Sequence, residues 1–134
     1  MSRVGINLIN SIRRQALLLC ALIGSFSSYA QSATPLDPGS AEGATRFIVM
    51  KCEVDDATKA YLLRLSDRFV LAVERSDRIP AEQIVSRMKV GEALIPAAFA
   101  CSKDDAATIR QLYEEREVSV AQILGTPSPL PPGT

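Results

Sequence analysis

No histidine occurs among the 134 residues. That removes the commonest general base, and with it the Ser-His and Cys-His nucleophile pairs. Ordinary zinc and copper sites go too, since they need imidazole or several thiolates. No C-x-x-C pair is present to make redox-active thiols. The seven glycines are scattered through termini and turns, so no phosphate-cradling loop is formed. No EF-hand spacing is found, and no cofactor is expected. No stretch alternates apolar and polar residues for long enough to support a sheet. No apolar run approaches the about 20 residues of a spanning helix, and no internal repeat is visible.

Acidic residues are missing from the first 30 positions, where Arg3, Arg13 and Arg14 precede the short apolar run Ala16 to Ile23. The run fades into small and hydroxyl residues and ends at Ser28-Tyr29-Ala30. A basic start, an apolar middle and a small-x-Ala end are the parts of a secretory signal peptide, here residues 1–30 with the cut before Gln31. Cys20 follows Leu19 rather than a small residue, so it leaves with the leader instead of carrying a lipid. The expected location is periplasmic or secreted, with no stable membrane anchor after cleavage.

The three leader arginines separate the chain's overall balance of 15 cations and 15 anions from that of residues 31–134, which carry 12 and 15. A net charge of about −3 speaks against nucleic acid as a partner. Two cysteines remain, Cys52 and Cys101. In an oxidising compartment an even pair predicts a disulfide. Closing a loop of about 50 residues is worth roughly 4 kcal/mol on loop entropy.

Residues 31–45, broken by Pro35, Pro38, Gly39 and Gly43, read as a flexible lead-in. Residues 126–134, with four prolines, read as a disordered tail. The folded part is then 46–125. Phe47 to Met50 is too short for periodicity to separate helix from strand. Asp55 or Asp56 caps a long helix, Ala57 to Ser76, which stops before Pro80. A short helix, Pro80 to Lys89, turns Ile84, Val85 and Met88 inward and ends at Gly91. The uncharged run Ala93 to Cys101 reads as a loop and a buried turn of helix. Ser102 opens a last helix whose stripe from Ala106 to Leu124 stays in phase until Gly125, although Ser119 to Gln122 forms a competing capping box. Arg116 is the one charged residue of the helix body inside that stripe. The fold class is all-α, a small three- to four-helix bundle stapled by one disulfide.

Three acidic groups, Glu53-Asp55-Asp56, Asp104-Asp105 and Glu114-Glu115-Glu117, match helix starts or a solvated face better than a metal site, so no metal is expected. On the long helix Arg64, Arg68 and Arg75 form a row, a candidate anion or partner face. Asp67 and Glu74 interleave with the row and are expected to pair with it in part. Secreted helical chorismate mutases use arginines in a helical pocket in a similar general way. The apolar arc of the same helix spans about half its circumference, wider than an ordinary core-facing stripe. Either the helix lies between two others of its own bundle, which is the favoured reading, or one side of it meets another chain. Leu71 sits alone among the charges, and Leu63, Val70 and Leu71 are the candidate apolar partner face, through which a homodimer is allowed.

In size, export and single long-loop bridge the chain resembles small acid-stress chaperones of the periplasm, an architectural likeness. The functional expectation is a small exported, non-enzymatic protein-binding module, such as an envelope chaperone or an accessory of a secretion or surface apparatus. Its partner is expected to be another envelope protein. The alternatives are an inhibitor or immunity protein against a lytic enzyme, and a small helical enzyme using the arginine row.

Overall fold

The computed structural model describes residues 37–133. The expected leader, residues 1–30, and residues 31–36 lie outside the described residues. Four helices follow one another: α1 (Pro38–Met50), α2 (Asp56–Asp77), α3 (Ala81–Ala93) and α4 (Lys103–Leu124). Among the described residues there is no strand, and no helix is long and apolar enough to cross a membrane.

α1 corrects the lead-in. Asp37 caps it, accepting from the Ser40 backbone N–H at 3.0 Å and from the Ser40 hydroxyl at 2.9 Å. Pro38 sits in the first turn, where a missing N–H costs nothing. Residues 39–45 are buried, and all of them but Glu42 are small. A Cβ built at Gly43 would run into the Met88 carbonyl, and one at Gly91 into the Ser40 carbonyl. Gly39 faces the Arg87 side chain in the same crossing. α1 and α3 thus meet backbone to backbone. Glycines that read as slack in sequence are a contact surface, and Gly91, expected to end α3, lies inside it. Phe47 to Met50 is helical.

Asp55 caps α2 by accepting from Thr58 N–H at 2.8 Å. The helix ends in a left-handed residue, Arg78 (φ 54°, ψ 39°), ahead of Pro80. On α3, Ile84 is buried and Met88 half-buried, but Val85 points to solvent. The segment before Cys101 forms a turn, Phe99 N–H donating to Pro96 C=O, not a turn of helix. Cys52 and Cys101 are bonded and bridge their chain segments, with Glu53 N–H donating to Cys101 C=O at 3.2 Å. α4 starts in a full capping box between Ser102 and Asp105 and runs unbroken through buried Ser119 to left-handed Gly125. Phase over six turns outweighs one local capping pattern.

The tail is not loose at its base. Arg68 donates to the Thr126 hydroxyl at 2.8 Å and to its carbonyl at 2.9 Å, and the Ser128 hydroxyl donates to Glu117. Two apolar clusters make the core. One surrounds the disulfide with Ile48, Leu62, Leu65, Ile95 and Ile109; the other joins Phe69, Ala72, Val73, Ile84 and Val120.

Candidate functional site

Between the two clusters lies a buried polar hub. Arg116 of α4 donates to both Glu42 oxygens on α1, at 2.7 and 2.8 Å. The two residues are 2% and 1% exposed. The Ser66 hydroxyl on α2 donates to the same carboxylate. The guanidinium lies 3.8 Å from the Phe69 ring centroid and 4.1 Å from that of Tyr113. Planar stacking and a bidentate carboxylate are the two contacts for which arginine is suited over lysine. Burial works to lower the Arg116 pKa, yet the Glu42 carboxylate outweighs it, so the guanidinium holds its proton more tightly than usual. Burial, with the Glu42 charge beside it, pushes the Tyr113 hydroxyl well above its ordinary value. Tyr61, in the second turn of α2, is pushed up to about 12 by burial and by its hydrogen bond to Glu114 of α4. This hub joins three helices and is closed to solvent.

Beside it, on the surface, α1, α2 and α3 leave an open groove of about 170 Å³. Gly43 forms its floor where the helices cross. Phe47, Met50, Leu63 and Met88 supply apolar walls, with Arg46 and Glu92 at the rim. Met50 is 56% exposed. Arg46 is held by Asp67 at 2.6 Å and by Ser66 at 2.9 Å, so its position is tied to the hub through Ser66. A second pocket, between α1, α2 and α3 beside Glu42 and Phe69, has about 10 Å³, near the lower limit for one water.

The arginine row does not act as one surface. Arg64 is exposed. Arg68 is bonded to Glu117, at 2.8 and 3.2 Å, and to Thr126. Arg75 reaches the Leu124 carbonyl at the end of α4, at 3.4 Å. The expected pairing within α2 gives way to pairing between helices: Asp67 meets Arg46 of α1, and Arg68 meets Glu117 of α4. Geometry divides the apolar partner face as well. Leu63 lines the groove, Val70 packs against the second cluster, and Leu71 is exposed away from both. Among the described residues no three His, Cys, Asp or Glu side chains gather as a metal site requires.

Sequence reasoning passed over Glu42, because it fell in the presumed lead-in. The signal that points to it is Arg116, a charge on an otherwise apolar stripe, which demands a buried acid somewhere in the fold. Comparison with protein-family models, with curated proteins and with solved structures finds no match.

Proposed function

We propose that this chain is a small exported, non-enzymatic module that binds another protein of the cell envelope, in the periplasm or outside the cell. The observation that carries the reading is the groove over α1, α2 and α3, with its apolar walls and charged rim. Exposed Met50 at its edge is the kind of flexible, polarizable side chain that adapts to a partner. The support beneath it is rigid: a glycine crossing fixes α1 against α3, and the hub ties α1 to α2 and α4. A rigid scaffold lowers the ordering entropy lost on binding. The enzyme reading depended on the arginine row, whose central member is taken up by Glu117 and Thr126.

Photocrosslinking in living cells tests this. A benzophenone amino acid replaces Met50 in one strain and Val118, which is 65% exposed on α4, in another. Position 50 is expected to capture envelope protein while position 118 does not. One stoichiometric partner identifies an adaptor or inhibitor, and many partners identify a chaperone. Capture from neither position, or equally from both, overturns the groove as the binding site.

A further inference from the structure

We infer that the proline-rich tail is a second recognition surface, a pre-formed polyproline ridge for a partner whose groove is lined with aromatic side chains. The inference stands apart from the groove reading above, because it uses none of the groove's residues. Residues 126–132 read Thr-Pro-Ser-Pro-Leu-Pro-Pro. Each of them is a proline or the residue before one. A proline fixes φ at about −65°, and the residue before it is driven to an extended ψ. The whole run is thereby restricted to the polyproline form, a left-handed helix of three residues per turn. The structure agrees: residues 127–131 form neither helix nor turn, and the run ends where Gly133 takes a φ of 84°.

Exposure follows the same period. Pro127, Leu130 and Gly133 are exposed, while Pro129 and Pro132 are half-buried. One edge of the ridge is partly covered and the opposite edge faces solvent, with Leu130 81% exposed at its centre. At about 3.1 Å per residue, Pro127 and Leu130 stand roughly 9 Å apart along the outer edge. Aromatic-lined grooves read proline-rich ligands at this i, i+3 spacing. The base of the ridge is fixed. Arg68 donates to the hydroxyl and the carbonyl of Thr126, and the Ser128 hydroxyl donates to Glu117, itself bonded to Arg68. A ligand already held in its bound shape loses little entropy on binding. No charged side chain follows Glu117 in the sequence, so the surface on offer is apolar. Aromatic rings pack on proline rings and on Leu130. Trp N–H and Tyr O–H groups donate to carbonyls, which a polyproline segment leaves without internal partners.

The test uses the full disulfide-bonded chain. In 15N relaxation the Ser128 and Leu130 amides are expected to give heteronuclear NOE values close to those of α4. Values typical of a free chain end would overturn the pre-formed ridge. A benzophenone amino acid at position 130 is then crosslinked in living cells, and the attachment point is mapped by mass spectrometry. Attachment is expected beside Trp or Tyr of the captured protein. That protein, purified, is titrated against fluorescein-labelled chains read by anisotropy. Leu130→Asp, and separately Pro127→Ala with Pro129→Ala, are each expected to weaken binding about tenfold. These side chains are not in the core, so circular dichroism melts should match the parent. No capture from position 130, attachment to a surface without aromatic residues, or unchanged affinity in both variants overturns the inference. Loss of binding in Met50→Asp would mean that the tail only lies beside a partner seated in the groove, and the inference falls while the groove reading stands. Capture from position 130 but not from position 50 overturns the groove reading and supports this one.

Discussion

At the scale of single residues the protein's most demanding feature is the Glu42–Arg116 pair. Two buried charges lose their hydration, and only close geometry and further hydrogen bonds offset that loss. Here the offset is visible: a bidentate contact, a hydroxyl from Ser66 and two aromatic rings around one guanidinium. Removing one partner leaves the other charged and buried. Arg116→Met is therefore expected to destabilise the fold by about 3–5 kcal/mol. Adding Glu42→Leu to it should restore a large part of that loss, since two apolar groups can replace a buried ion pair at little cost. Urea unfolding of the two single variants and the double variant measures the coupling. Additive losses would show that the pair is not the unit described. In the sequence, Arg116 announced half of this hub, and Glu42 was hidden by the small residues around it.

At the scale of elements the decisive contact is the crossing of α1 and α3. Gly39, Gly43 and Gly91 are there because a β-carbon does not fit. α3 has few other holds. Ile84 and Gly91 are its buried residues, and Val85 and Val90 are exposed. Gly43→Ala should force the helices apart at an overpacking cost of about 1–3 kcal/mol, with Tm falling by roughly 4–8 °C per kcal/mol in a domain of this size. Helix propensity alone predicts the opposite sign, because Ala is the better helix former. A thermal melt decides between them, and a raised Tm would mean that the crossing yields. This is also why the helix could not be read from sequence. Small residues and a proline carry the same local signal whether they form a loop or a tight helical contact, and only the facing helix tells them apart.

On the scale of the whole molecule, the disulfide closes the long excursion between Cys52 and Cys101, 49 residues apart and spanning α2 and α3. Both cysteines are buried within the first apolar cluster. Reduction should lower stability by roughly 4 kcal/mol through the entropy released to the unfolded chain. Cys52 and Cys101 should resist alkylation in the oxidised protein and label after reduction. A denaturant midpoint unchanged by reductant would mean that the hub and the helix crossing hold the fold without the staple. The tail belongs to this scale as well. Its prolines rule out helix, as composition requires, but Arg68 and Glu117 hold Thr126 and Ser128 against the bundle.

By itself the sequence determined what depends on near neighbours along the chain. Caps at Asp55 and Ser102, the stop before Pro80, the phase of α4 and the left-handed Gly125 are local matters of orphan amides, proline sterics and helical period. The pairing of Cys52 with Cys101 was expected as well, because the reading of residues 1–30 as a leader set Cys20 aside. Only the tertiary structure decided which charges meet. It set Arg46 on Asp67, Arg68 on Glu117 and Arg116 on Glu42, pairs separated by 21, 49 and 74 residues. It also turned three glycines into a helix crossing and opened the groove above it. The reason is the same in each case: a charge, or a missing β-carbon, has meaning only in relation to what faces it across space.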